Sequence, residues 1–278
     1  MCFAKALRIG ASRLTAATAS LFVFLMSINS GAVELNSNRV VGGGNGAKSV
    51  TPKQAARSVK ISGGVYSPLF REPDEVDRQI PPFKLDKYAV TRAEFQNFLA
   101  KNPHFLSKAM AARLADSNYL EGWIDGQAPA GTSDWPVTSV SWFAARAYCK
   151  SVGGHLPRVD EWEFAARAEK KENLQRILDW YSQPADALRP VKALKPDPAT
   201  GLVGMHGIVW EWVEDFSSVI VQGDSRSSND TDKDLFCAAG AMKAKRPEEY
   251  ATFMRFAFRS SLKAKSAARS LGFRCAYD

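Results

Sequence analysis

The regular structure this sequence offers is three short amphipathic helices set in long stretches of turn-rich chain, with no internal repeat. The clearest helix start is at Thr91, whose side chain can cap the Glu94 amide while Glu94 reaches back, with Val90 and Phe95 at the two positions of a hydrophobic staple. This helix is predicted to run through Phe98 and Leu99 and stop at Asn102-Pro103. A second begins after Ser141, with Trp142, Ala145, Cys149 and Val152 on one apolar face and Gly153-Gly154 closing it. A third spans Asp160 to about Ala168. Trp162, Ala165 and Ala166 point inward there, and Glu161, Glu163 and Arg167 lie elsewhere on its surface. Strands are predicted over 61–70 and 83–90, with a turn-rich, proline-containing connection between them. The second half reads as turns with short apolar runs at Gly207–Trp212, Val219–Val221 and Phe253–Phe258. The pattern is that of an α+β domain with little regular secondary structure, held by tryptophans and a disulfide.

The first residues bear on compartment. Lys5, Arg8 and Arg13 precede the largely apolar run Ala16–Ile28, and Ser30-Gly31-Ala32 presents small residues where a signal peptidase cuts. The order is that of a secretory signal peptide over 1–32, cleaved near Ala32, with the apolar run too short to span a bilayer comfortably. The expected address is periplasmic or secreted, with no transmembrane segment in the mature chain. Residues 33–56 are rich in Gly, Asn and Ser and read as a flexible leader, leaving 57–278 as the domain. The formal charge is +8, three of those positives lie in the export segment, and the remaining basic residues are scattered. A nucleic-acid partner would call for a concentrated basic stripe and is not expected.

Export leaves Cys149, Cys237 and Cys275. An oxidising compartment favours pairing two of the three, but spacing does not say which. His104, His155 and His206 share no ligand spacing, and a lone histidine such as His206 suits a turn-stabilising hydrogen bond. No cofactor-binding motif is evident. Trp142 and Trp162 read as packing residues.

Five segments in order carry a family resemblance: Lys84–Phe95, Pro136–Trp142 running into Ala147-Tyr148-Cys149, Leu156-Pro157 with Glu161–Arg167, Gly201–Trp212, and Leu271-Gly-Phe-Arg-Cys275. Together they resemble the formylglycine-generating enzyme and sulfatase-modifying-factor family over roughly 60–278. The resemblance implies an elaborated C-type-lectin-like fold and a Cys149–Cys275 disulfide, which leaves Cys237 as the unpaired thiol. Cys237 is the one candidate reactive residue, against the plainer reading of a buried inert thiol. Arg274 is expected to tie to a buried carboxylate or carbonyl. The family's enzymes bind copper through two further cysteines; the positions that match them here are Arg246 and Ala251, so no copper site of that type is expected. The family's glycine loop implies a calcium site built from Glu211 and the carbonyls of Gly207 and Val209. Gly204 and Ile208 replace two residues of that pattern.

Within the family the chain is similar to an exported, NirV-like branch. That implies an accessory or maturation factor that recognises a protein or peptide partner, such as a respiratory metalloenzyme. Two other readings are an oxidative enzyme acting on a peptide or siderophore, as in PvdO-like relatives, and a non-catalytic lectin-like binding module.

Overall fold

The computed structural model describes residues 57–68, 76–106, 112–166, 174–183, 188–217 and 247–278. The expected signal peptide over 1–32, the expected leader over 33–56, Arg167, Val219–Val221, Cys237 and Arg246 lie outside these. Antiparallel strands β1 (Ser58–Ile61), β4 (Phe83–Asp86) and β7 (Ala276–Tyr277) form one sheet in the order β1-β4-β7, with Ile61 opposite Phe83 and Leu85 opposite Ala276. β2 (Gly64–Tyr66) pairs with β3 (Arg78–Ile80), and β5 (Trp210–Glu211) runs parallel to β6 (Leu271–Gly272).

Two strand expectations needed correction. The 61–70 run divides between β1 and β2, because Gly63 turns the chain at φ +73°, where an added Cβ would lie 2.4 Å from the Ile80 carbonyl oxygen. The connection expected to be turn contains β3, whose three residues complete the hydrogen bonding of β2.

The first helix, α1 (Arg92–Lys101), has the full capping box: Thr91 Oγ1 accepts from the Glu94 amide, and Glu94 Oε2 accepts from the Thr91 amide at 2.8 Å. α2 (Trp142–Ser151) is capped by Ser141 and buries Ala144, Ala145, Tyr148 and Cys149, while Trp142 stays half-buried. Around them Phe95 meets Phe98, Trp123, Tyr148 and Phe273 at ring-centroid distances of 5.4–6.2 Å. Edge-to-face and offset contacts of this kind add to the burial of the rings themselves. Arg57 pairs with Asp86 and Glu94, tying the start of β1 to β4 and α1.

The second half carries more helix than its sequence suggests. Besides α3 (Val159–Ala166), the described residues include α4 (Leu174–Tyr181) and α5 (Pro247–Ser260). Ala251, Phe253, Phe256 and Ala257 of α5 are buried, but so are Arg255 and Arg259. The helix is amphipathic, and the fold covers its charged side as well as its apolar one. No helix among the described residues is long and apolar enough to cross a membrane.

Candidate functional site

The charged residues of α3 do not lie on a solvated surface: Trp162, Ala165 and Ala166 are buried, and so are Glu161 and Glu163. Burial of an acidic side chain is costly unless it is paired, and Glu163 is paired twice. Arg255 donates to it from Nε at 2.9 Å and from Nη2 at 2.7 Å, and Arg259 from Nη1 at 2.7 Å. Burial pushes the Glu163 carboxyl up, but the two guanidinium groups more than offset that and hold it below the usual glutamate range. Both arginines lie over the face of Trp162, at 5.5 and 4.7 Å from the ring centroid.

Arg255 also donates from Nη1 to Tyr181 Oη at 3.0 Å. His206 Nδ1 sits 3.1 Å from that hydroxyl, so this histidine reaches α4. Burial raises the Tyr181 pKa, so the phenol keeps its proton. Beyond it the rings of Tyr181, Trp180 and Phe258 gather around Trp210, at 4.7, 5.2 and 4.4 Å. All four are half-buried. Together with Trp162, His206, Arg255 and Arg259 they line a narrow cleft. On the far side of Trp180 an open groove of about 280 Å³ is lined by Asp179, Gln183, Arg189, Leu194 and Gly207.

A second buried ion pair backs the cleft. The parallel pairing of β5 with β6 brings Glu211 beside Arg274, whose Nη2 donates to Oε1 at 2.8 Å and whose Nε donates to Oε2 at 2.8 Å. Trp162 Nε1 donates to Oε2 at 2.7 Å. Arg274 also donates to the carbonyls of Asp86, Lys87 and Val203. One carboxylate faces one guanidinium, with the remaining donors satisfied.

This arrangement does not fit a calcium ion bound through the Glu211 side chain. Both oxygens are committed to Arg274 and Trp162, and a guanidinium stands where a cation would have to approach. The two departures from the family loop also occupy one another's space, since a Cβ on Gly204 would lie 2.5 Å from Ile208 Cδ1. Val209 is buried against the cleft, and Gly207 lies on the outer groove. Among the described residues no group of three His, Cys, Asp or Glu could hold a metal ion.

Cys149 and Cys275 form a disulfide with Cα atoms 5.4 Å apart, closing a sequence separation of 126 residues. Ala251 is buried in α5. The residues that sequence reasoning missed are Glu163, Trp180, Tyr181, Arg255 and Arg259. The available signal was a pair of arginines four apart in an aromatic-rich segment, the helical spacing that puts both on one face.

Comparison with known proteins agrees with this architecture. Residues 45–278 match the family described as sulfatase-modifying factor enzyme 1-like domain. The formylglycine-generating enzyme of Bos taurus is 25% identical, over 82% of this chain and 76% of its own length. That of Streptomyces coelicolor is 27% identical, over 82% and 91%. The inactive C-alpha-formylglycine-generating enzyme 2 of Bos taurus is 26% identical, over 80% and 88%. With the family model covering most of its length, the chain belongs to the sulfatase-modifying factor enzyme 1-like family.

Proposed function

We propose that this protein is an exported accessory or maturation factor that grips a segment of a partner protein in its aromatic cleft and does not generate formylglycine. The observation that carries this reading is the set of four half-buried rings (Trp180, Tyr181, Trp210 and Phe258) lining a cleft whose described walls contain no thiol. Half-buried aromatic residues stacked on one another are poor core but good contact surface, because they offer area with little conformational freedom to lose.

The cysteine inventory supports the second half of the proposal. The chain has four cysteines. With Cys149 and Cys275 joined, Cys2 and Cys237 are those left, and Cys2 stands within the expected signal peptide. A two-thiolate copper site has no pair to draw on in a mature chain. The family contains a relative named as inactive, so membership alone does not bring the activity. The partner remains of the class expected above, a protein such as a respiratory metalloenzyme.

In-cell crosslinking followed by affinity purification of the wild type and Trp210→Ala, side by side, tests the reading. A partner enriched with the wild type and lost with Trp210→Ala is expected. Identical recovery from both would remove the cleft from the interaction. Conversion of a cysteine in a sulfatase-motif peptide to formylglycine by the copper-loaded protein, read as an aldehyde by mass spectrometry, would overturn the denial of catalysis.

A further inference from the structure

Among the described residues, the inner end of the cleft holds more positive charge than is neutralised. Arg255 and Arg259 are both buried, and among the described residues Glu163 is the one carboxylate bonded to either of them. Glu211, the acid among the described lining residues, is matched by Arg274 and cannot serve. One surplus cation therefore sits among aromatic rings, an arrangement that is costly until an anion joins it.

The two arginines are not equivalent. Nε, Nη1 and Nη2 of Arg255 all donate to protein acceptors: Glu163, Tyr181, the Ala251 carbonyl and Thr252. Arg259 uses Nη1 on Glu163, and the structure gives its Nε and Nη2 no acceptor among the described residues. A guanidinium carries five N–H donors in a planar fork, and Arg259 lines the cavity with most of that fork unused.

We propose that this end of the cleft is a carboxylate-binding site, with Arg259 as the receptor for an acidic side chain or chain end of the partner peptide. The assignment rests on the peptide-binding reading given above. Charge sets the class of ligand: one surplus positive charge is balanced by a monoanion, whereas a doubly charged phosphate would overshoot it. Shape agrees, because a planar fork beside flat rings matches a planar carboxylate. Size restricts the ligand as well: the space beside the fork has room for little more than a water molecule, so it admits a carboxylate group and leaves the rest of the peptide outside. The groove beyond Trp180 gives the rest of an extended chain a place to lie, with Gln183, Asp179 and Arg189 along it.

Tryptophan fluorescence of the full mature protein provides the assay, with sodium benzoate, benzamide and inorganic phosphate as small probes. Two blocked hexapeptides of alanine and glycine, one with a central glutamate and one with glutamine, are the peptide probes. Benzoate is expected to bind about ten-fold more tightly than benzamide, the scale of one charge-assisted hydrogen-bonded contact, and the glutamate peptide to exceed the glutamine peptide similarly. Both preferences should vanish in Arg259→Gln and return in part in Arg259→Lys, with thermal melts of both variants confirming that they fold. Equal binding of benzoate and benzamide overturns the site, and so does a preference that survives Arg259→Gln. Phosphate competing as well as benzoate overturns the carboxylate assignment. If the two peptides bind equally, the charge inference falls while the cleft reading stands. If benzoate is discriminated and neither peptide binds, the peptide reading falls instead.

Discussion

Two buried acid–base centres lie on either side of Trp162, and they are built to opposite specifications. At Glu211–Arg274 one carboxylate meets one guanidinium, three backbone carbonyls take further donors, and Trp162 Nε1 completes the set. At Glu163 one carboxylate serves two guanidinium groups, one of which keeps unused donors toward a cleft. The first centre is a closed structural joint. The second is an open one, stable enough to hold the fold but short of one negative charge. The difference teaches that a buried charge in this protein marks structure where the count closes and a binding site where it does not.

Arg274→Met should break the closed centre most severely, since it strands Glu211 without a counter-ion. A loss of about 3–5 kcal/mol in chemical denaturation is expected. A double replacement of Glu211 and Arg274 by apolar residues should recover much of that, and if it does not, the joint owes its strength to the carbonyl contacts instead. Glu163→Gln comes next, at about 2–4 kcal/mol, because it leaves two buried guanidiniums without their counter-ion beside a cleft that admits some water.

The open centre also sets an acid limb. Because the Glu163 carboxyl titrates below its ordinary value of 4.5 in the native state, its stabilisation is complete above that value and is lost as pH falls through the depressed one. Asp86 works the other way: burial raises its pKa, despite Arg57 and the Cys275 and Tyr277 hydrogen bonds, so the fold gains from its protonation. Melting temperature against pH should therefore fall less steeply below about pH 4.5 in Glu163→Gln than in the wild type. Equal slopes would assign the acid limb to other carboxylates. The smallest effect belongs to Arg259→Met. It leaves Glu163 and Arg255 matched one to one, so stability should change by within about 1 kcal/mol, in the upward direction. A large loss would show that the open centre is as structural as the closed one.

The closed centre was more legible in the sequence than the open one. Arg274 was expected to bind a buried carboxylate or carbonyl and does both; Glu211 was singled out too, although for calcium. The capping box at Thr91 and the start at Ser141 depend on neighbours in sequence, so local rules reach them. Glu163, Arg255 and Arg259 depend on α3 and α5 meeting across a long stretch of chain, the bonded partners standing 92 and 96 residues apart in sequence. On a helical wheel each charge looks like solvated surface, and only the tertiary contact turns that face inward. α4 and α5 were missed although each separates apolar from polar residues; α4 has only eight residues in which to display that period.

The segment from Leu271 to Tyr277 supplies β6, the Arg274 guanidinium, one sulfur of the disulfide and the β7 strand beside β4. Strand β4, helix α2 and the loop bearing Glu211 thus share one partner segment. A protease cut just before Leu271 would loosen three separate parts of the fold at once.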